Sequence, residues 1–368
     1  MISKIVTLGD VCNKGSSNIA QKDLVDRDGI YPIYGAAGYI KNVDFAHQDK
    51  PYLAVVKDGA GIGRVMKLPA NSSIIGTMQY ILPKGNIDID YLYFALQYMN
   101  LSKYFSGSTI PHIYFRDYQK EKLPLPELSE QQGKAYVLLR IEQLIECYHQ
   151  QLTKLDELVK SRFIELFGMP GADDFDWGLV PLGSVCHINP KKSQDPRLGS
   201  GIEVSFVPMP AVTEHGEIDA TSIKEYDEVK TGFTYFAEND VLFAKITPCM
   251  ENGKGAVARG LHNGIGFGST EFHVLRPISG KTNPYWIYML TAFPQFREDA
   301  ANNMTGSAGQ RRVPASYLEN YRVAVPPIEL QEQFAAFVEQ TDKSKLVVHK
   351  SLEKLETLKK ALMQKYFG

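Results

Sequence analysis

Hydrophobic residues follow two different spacings along this chain, and each spacing occurs twice. Short apolar runs bounded by Gly, Pro, Asn and Asp, such as Tyr52–Val56, 80–82 and Val241–Ala244, predict strands joined by turns. Apolar stretches at 90–99 and 284–291 predict one short helix each. The pattern therefore predicts a region of strands with a short helix in each half of the chain.

After each mixed region, apolar residues recur at alternating intervals of three and four, which is the a/d pattern of a coiled coil. Each of these segments covers about forty residues, or roughly 60 Å if it is fully helical. Two lysines, Lys345 and Lys359, interrupt the second seam. The predicted seam residues are Leu138, Ile141, Ile145, Tyr148, Leu152, Leu155 and Val159 in the first segment, and Val348, Leu352, Leu355 and Leu362 in the second.

The ends of these segments carry helix signals. Ser129, with Gln132 three residues later, predicts a capping box at the first helix start, and Gly168 and Gly368 are predicted stops. A helix with one apolar seam needs a partner in water. Each helix could pack separately on its own domain, but we favour an antiparallel pair whose seams bury each other, because both seams exceed the average helix length.

The chain also repeats its own sequence. Residues 6–12 return at 180–186 with an offset of 174, the proline-rich segment from Pro124 returns at Pro326 with an offset of 202, and the helical segment returns with an offset of 200. The ends of the two copies agree, whereas their middles diverge and the second middle is longer. The expected regions are a first domain at 1–128, a central long helix at 129–168, a second domain at 169–328 and a C-terminal long helix at 329–368. We therefore predict an α+β fold in which two α/β domains are separated by two long antiparallel coiled-coil helices with a pseudo-two-fold internal repeat.

Composition limits the classes of protein to which the chain can belong. Its 368 residues carry 40 Lys and Arg against 42 Asp and Glu, a net charge of −2, so the chain as a whole is not basic. Neither domain is strongly basic, with 14 basic and 12 acidic residues in 1–128 and 14 and 18 in 169–328, so a DNA-binding surface would be a local patch. Four scattered cysteines, no apolar leader and no long apolar run lead us to expect a cytoplasmic protein without disulfides, a zinc site or a membrane span.

Candidate DNA-binding residues lie at matching points of the two copies. Basic residues flank a glycine turn in the first copy, and a polar segment rich in Gly and Ser follows in each copy. Gln and Arg are side chains that can hydrogen-bond bidentately to adenine and guanine. The candidates are Lys57, Arg64, Lys67, Ser108, His112 and Arg116 in the first copy, and Lys245, Lys254, Arg259, Gln310, Arg311 and Arg312 in the second.

Several motifs resemble parts of enzymes but are incomplete. The glycine-rich stretch at 58–63 lacks the full G-x-G-x-x-G spacing and precedes a predicted strand, so we interpret it as a hairpin turn. Residues 280–282 end like a phosphate-binding loop, but Leu275 stands where the first glycine is required. The histidines show no metal-ligand spacing. We therefore predict no catalytic residue and no metal ligand in this chain.

The duplicated plan resembles the specificity subunit of type I restriction–modification enzymes. The residues that carry the resemblance are the Leu-Gly pairs at 8–9 and 182–183, the Tyr-Pro-Ile-Tyr-Gly-Ala stretch at 31–36, the Gly-Ser pairs at 107–108 and 306–307, the proline-rich segments and the long helices ending in Phe-Gly. The second copy has no Tyr-Pro-Ile-Tyr-Gly counterpart in sequence. The resemblance covers nearly the whole chain, twice.

The resemblance implies a non-catalytic DNA-recognition subunit with two target-recognition domains. Each domain would read one half of a bipartite double-stranded DNA target, asymmetric because the two middles differ, and the helices would set the spacer. Two adenine-N6 methyltransferase subunits, using S-adenosylmethionine, and two ATP- and Mg-dependent restriction subunits would be its partners. With its net charge of −2, the chain alone would bind DNA weakly.

Three other classes of protein fit parts of the pattern. A freestanding two-domain DNA-binding regulator would lack neighbouring methyltransferase and helicase genes. A nuclease built from scattered carboxylates would cleave DNA with a metal ion. A coiled-coil adaptor would bind proteins only.

Overall fold

The computed structural model describes residues 4–106, 111–307 and 309–368, and they fold into two compact units. The first unit consists of residues 1–150 together with 348–368, and the second of residues 151–347. Both units combine small sheets with helices, as the predicted α+β class requires. The two predicted long helices are present, and each of them belongs partly to the first unit and partly to the second.

Three antiparallel or mixed sheets build the first unit. A four-stranded sheet has the order β2-β8-β5-β6, a three-stranded sheet the order β4-β3-β7, and β1 pairs with β9. The strands are β1 (Lys4–Thr7), β2 (Cys12–Ser16), β3 (Tyr31–Gly35), β4 (Gly38–Val43), β5 (Tyr52–Val56), β6 (Val65–Leu68), β7 (Ser73–Ile74), β8 (Met78–Pro83) and β9 (Lys122–Leu125). The helices are α1 (Leu8–Val11), α2 (Ile89–Met99), α3 (Phe115–Tyr118) and the first half of α4 (Leu128–Phe167).

The second unit repeats this topology with one added strand. Its four-stranded sheets have the orders β11-β18-β15-β16 and β13-β12-β17-β14, and β10 pairs with β19. The strands are β10 (Leu179–Pro181), β11 (Cys186–Ile188), β12 (Glu203–Val207), β13 (Ile223–Glu225), β14 (Thr234–Ala237), β15 (Val241–Ala244), β16 (Gly255–Val257), β17 (Ile265–Gly268), β18 (Phe272–Pro277) and β19 (Arg322–Ala324). The helices are α5 (Tyr226–Val229), α6 (Pro284–Ala292), α7 (Pro294–Asn302), α8 (Ala315–Asn320) and the first half of α9 (Ile328–Phe367).

The repeat extends into the middles, where the sequences diverge. In both units the central strand of the second sheet, β3 or β12, has one antiparallel and one parallel neighbour. The stretch Tyr31–Gly35 therefore has a counterpart in topology, Glu203–Val207, although the two share no sequence motif. The strand β14 accounts for part of the longer second middle.

The long helices run antiparallel within each unit. In the first unit Lys134 and Glu142 of α4 contact Tyr366 and Lys359 of α9, respectively. In the second unit Asp156 and Phe163 of α4 contact Lys345 and Phe334 of α9, respectively. Residue numbers rise along α4 while those of the contacted residues fall along α9, which is the order of an antiparallel pair. Every predicted seam residue is buried or half-buried, as a helix pair requires.

The helix starts differ from the prediction. Helix α4 begins at Leu128, and the Gln131 amide donates to the Glu127 carbonyl, so Ser129 lies inside the first turn rather than at the predicted N-cap. Helix α9 begins at Ile328, two hundred positions after the start of α4, and both helices end at a Phe before Gly. The predicted offset of 202 at the proline segment is therefore wrong, because the matching letters Glu-Leu-x-Glu-Gln fall two residues out of structural register.

One buried glutamine anchors each long helix to its unit. Gln131 accepts a hydrogen bond from the Asp88 amide at 2.9 Å and donates to the carbonyls of Asn86 and Pro126. Asp88 is the N-cap of α2, so this side chain links the starts of two helices. The end of α9 completes the core of the same unit, where Phe367 packs against Tyr91 with ring centroids 5.0 Å apart.

Candidate nucleic-acid interface

In the first unit, three backbone segments meet beside the glycine turn. The turn follows β5, and its return strand is β6, so the predicted hairpin is confirmed. The Lys57 amide donates to the Thr77 carbonyl at 3.0 Å, the Ile113 amide donates to the Lys57 carbonyl at 3.0 Å, and the Gly59 amide donates to the Pro111 carbonyl at 3.0 Å. We call this meeting point the first junction; it comprises residues 57–59, 77 and 111–113.

The side chains of the first junction form a compact polar group. The imidazole Nδ1 of His112 contacts the carboxylate of Asp58, and the Lys57 ammonium lies 4.0 Å from the same carboxylate. Tyr114 is exposed; its ring centroid lies 4.1 Å from that of His112 and 4.6 Å from the Arg116 guanidinium. Burial of the ring and the charge of Lys57 lower the pKa of His112. Basic and aromatic groups thus alternate along an exposed edge, an arrangement that suits phosphates and bases.

The second unit contains the same junction at the same place in its topology. The Lys245 amide donates to the Glu271 carbonyl at 2.9 Å, the Val313 amide donates to the Lys245 carbonyl at 2.9 Å, and the Thr247 amide donates to the Arg311 carbonyl at 3.0 Å. We call residues 245–247, 271 and 311–313 the second junction. The match makes Lys245 the equivalent of Lys57 and Arg312 the equivalent of His112.

The second junction pairs Arg312 with Glu271, whereas the first pairs His112 with Asp58. The Arg312 Nε and Nη2 donate to the Glu271 carboxylate at 2.9 and 2.8 Å, a bidentate pair, and the Arg312 Nη1 donates to the Gln310 carbonyl at 3.0 Å. The hydrogen bond from Arg312 lowers the pKa of Glu271 and raises that of Arg312. Burial lowers the pKa of the neighbouring Lys245 ammonium. Each unit therefore holds one cation-forming side chain against a carboxylate beside a lysine.

Some predicted residues in the first unit lie away from its junction contacts. Arg64 is exposed and follows the glycine turn, and its carbonyl accepts from the Val56 amide. Lys67 on β6 pairs with Asp90 of α2. Ser108 lies outside the described residues.

Most of the other candidates in the second unit support structure. Arg259 packs over the Tyr285 ring at 5.1 Å and lies 3.4 Å from Glu339 of α9, and Lys254 lies 3.8 Å from Glu214. Arg311 Nη2 donates to the Ala301 carbonyl at 2.7 Å, at the end of α7. Gln310 is exposed next to Arg312. The structure therefore brings Lys245, Gln310 and Arg312 together, but not Lys254 and Arg259.

Three residues in or beside the junctions were absent from the sequence prediction. Asp58 contacts His112, Glu271 contacts Arg312, and Tyr114 packs against both His112 and Arg116. The alternation of His112, Tyr114 and Arg116 was a readable signal for the tyrosine. No local signal marked the carboxylates, because they lie 54 and 41 positions from the side chains that they hold.

No helix within residues 4–106, 111–307 and 309–368 combines the length and apolar character needed to cross a bilayer. Across those residues, no cluster of three or more His, Cys, Asp or Glu side chains is arranged to hold a metal ion.

These features define a two-unit α+β protein with an internal repeat, in which each unit contains a polar junction and part of both long helices. The family model described as "Type I restriction modification DNA specificity domain" matches this chain twice, at residues 3–157 and 175–357. The chain therefore belongs to the family of type I restriction–modification DNA specificity proteins, as the sequence resemblance predicts.

Curated relatives are similar over part or most of the chain. The specificity subunits of the type I restriction enzymes EcoEI and EcoAI from Escherichia coli are 43% and 42% identical over 154 and 160 residues, which is 41% and 43% of this chain. Those matches span about a quarter of each relative, 25% and 26%. The MjaVIII specificity subunit from Methanocaldococcus jannaschii is 22% identical over 352 residues, 83% of this chain and 76% of that protein.

Solved structures share the fold at low sequence identity. The S subunit of a type I restriction–modification system from M. genitalium aligns with a TM-score of 0.60 at 15% identity, over 99% of this chain and 96% of that one. A chain from a structural study of complex assembly and conformational transition in the type I system aligns with a TM-score of 0.53 at 15% identity, over 99% and 97%. These alignments confirm the predicted fold class.

Proposed function

We propose that this chain is the DNA sequence-recognition subunit of a cytoplasmic type I restriction–modification complex and has no catalytic activity of its own. Each unit reads one half of a bipartite DNA target. The single observation that carries the proposal is that the two junctions share their backbone hydrogen bonds but differ in their side chains. Two similar readers with different chemistry suit an asymmetric target, and the family membership supports DNA as the ligand.

Each junction can position itself on DNA and discriminate between bases. Lys57 and Lys245 supply charge for phosphate contacts, which set orientation without reading sequence. His112 and Arg312 supply hydrogen-bonding groups for base edges in the major groove. The net charge of −2 supports weak binding by the chain alone, with partner subunits adding positive surface.

The paired helices set the spacer between the half-sites and carry the partner subunits. Both long helices contribute to both units, so one change in the helix pair affects both readers. The proposed partners are two methyltransferase subunits, which methylate adenine with S-adenosylmethionine, and two restriction subunits that use ATP and Mg. The chain itself binds none of these cofactors.

The test is the methylation pattern of the host genome, read by long-read sequencing. We expect one asymmetric motif with two specified halves and an unspecified spacer. Exchanging residues 1–128 for the equivalent part of another family member should change one half only, and exchanging 169–328 should change the other. A chimera that changed both halves, or a genome without a bipartite motif when the partner genes are expressed, would contradict the proposal.

A further inference from the structure

The two junctions present opposite hydrogen-bonding polarity at equivalent positions. His112 and Arg312 occupy matching places, because the residue that follows each donates its amide to the carbonyl of the junction lysine. Each side chain is fixed by a carboxylate of its own unit, Asp58 or Glu271. The hydrogen-bond donors and acceptors that each of these two side chains can still offer to a ligand can therefore be counted.

In the first junction the free group is an acceptor. An ionised carboxylate can only accept hydrogen bonds, so the contact with Asp58 places the proton of a neutral imidazole on Nδ1 of His112. The other ring nitrogen, Nε2, then carries a lone pair. Within the described part of the chain no hydrogen bond to this Nε2 is found, and 27% of the side chain is exposed. Tyr114 packs against the ring at 4.1 Å and limits its rotation.

In the second junction the free groups are donors. A guanidinium has five N–H groups, and Arg312 directs the Nε and one Nη2 hydrogen to Glu271 and one Nη1 hydrogen to the Gln310 carbonyl. One N–H remains on each terminal nitrogen. The side chain is 41% exposed, so the residue can be reached by a ligand. Arginine is the side chain that pairs bidentately with the O6 and N7 acceptors of guanine in the major groove.

We propose that His112 reads an exocyclic amino group, adenine N6 or cytosine N4, in one half-site, and that Arg312 reads guanine in the other. Asp58 and Glu271 are positioning residues that fix which atoms face the base. This inference rests on the proposed function and adds the class of base to it. Because the first junction offers an acceptor and the second offers donors, the two half-sites differ chemically at one corresponding position.

The test uses the full chain with its partner subunits and a randomised duplex library, with sequencing of the bound fraction. His112→Arg should move one position of one half-site from adenine or cytosine to guanine and leave the other half unchanged. Arg312→Gln should reduce the guanine preference at one position of the other half by roughly 5- to 150-fold. Arg27→Gln, at a half-exposed side chain outside both junctions and the helix pair, is the matched control for loss of an arginine and should change neither half.

The positioning residues give a readout that loss of folding alone would not produce. Asp58→Asn removes the carboxylate that fixes the His112 tautomer, so base preference at that one position should fall by roughly 3- to 10-fold while the rest of the motif is retained. Glu271→Gln should do the same in the other half. His112→Gln, which keeps an acceptor, should retain the amino-base preference and covers the case in which His112→Arg does not fold.

The outcomes separate this inference from the function on which it rests. A variant that weakens all sequences alike identifies phosphate contact and overturns the inference, while the wild-type bipartite motif keeps the proposed function intact. A motif left unchanged by His112→Arg, Arg312→Gln, Asp58→Asn and Glu271→Gln also overturns the inference. Failure of the wild-type complex to select any bipartite motif overturns the proposed function itself.

Discussion

Gln131 and Gln331 make the same three hydrogen bonds in their respective units. Gln331 accepts from the Asn283 amide at 2.8 Å and donates to the carbonyls of Lys281 and Pro326 at 3.0 and 2.8 Å, as Gln131 does with Asp88, Asn86 and Pro126. Both side chains are almost fully buried, 1% and 0% exposed. Each glutamine side chain hydrogen-bonds to backbone N–H and carbonyl groups at the point where a long helix meets the N-cap of a shorter one.

Replacing either glutamine should destabilise its own unit. Gln131→Ala removes the side-chain partner of one partly buried N–H and of two carbonyls, and we expect a loss of about 2–4 kcal/mol in the free energy of unfolding. Gln331→Ala should cost a similar amount. The neighbouring Gln132 is exposed, so Gln132→Ala is the matched control and should cost less than about 0.5 kcal/mol. Denaturant titration of the three variants measures this; equal losses for Gln131 and Gln132 would refute the role.

The seam leucines should differ in sensitivity. Leu352 is 8% exposed, so Leu352→Lys is expected to cost about 2–5 kcal/mol because it removes a buried side chain. Leu152 is half-buried, and a lysine there can extend its ammonium to water, so Leu152→Lys should cost less. The control is Leu358→Lys on the exposed side of α9, where 47% of the residue is accessible. Thermal unfolding of the three variants would contradict the helix pair if Leu358→Lys were the most damaging.

The two lysines within the second seam should respond differently to loss of their main partner. Lys345 lies 2.6 Å from Asp156 and 3.7 Å from Asp342, so it keeps a carboxylate when Asp156 is removed. Lys359 pairs with Glu142 at 2.6 Å. We expect Glu142→Ala to lower the free energy of unfolding by about 1–2 kcal/mol, a modest amount because the pair is only partly buried. Asp156→Ala should lower it by less, because Asp342 remains beside Lys345.

A double-mutant cycle isolates each of these pairs. The coupling energy should be about 0.5–2 kcal/mol for Glu142 with Lys359, and it should fall as salt is added. If the Asp156–Lys345 cycle gives the larger coupling, Asp342 does not act as the substitute carboxylate.

Adjacent arginines should have separable effects. Arg311 is bonded to the carbonyls of Ala301 and Met304, so Arg311→Ala is expected to lower stability by about 1–3 kcal/mol and leave base preference unchanged. Arg312→Ala should change DNA selectivity with a smaller effect on stability, because its guanidinium is partly exposed and paired only at the surface. Unfolding curves and selection from a duplex library, run on both variants, measure the two quantities. Loss of selectivity with Arg311→Ala alone would reverse this assignment.

Local sequence patterns were enough to predict the two long helices, the short helices at 90–99 and 284–291, and the strands β5 and β15. Each of these depends on near neighbours in sequence, where apolar spacing and Gly or Pro boundaries act directly. The sequence could not predict that β12 occupies the place of β3, because strand pairing depends on contacts between residues far apart in the chain. The carboxylates of the junctions were missed for the same reason. Asp58 comes from the turn after β5, whereas Glu271 precedes β18, so even the internal repeat does not connect them.

Synthesis of the polypeptide runs from residue 1 onward, yet the core of the first unit includes Met363 and Phe367. That unit cannot acquire its full set of core side chains until residues 151–347 have been translated and the end of α9 has left the ribosome. Tyr91 therefore lacks its aromatic neighbour Phe367 while the second unit is being made. Ribosome-bound intermediates of this protein should therefore mature in the reverse order of their domains, the later one first.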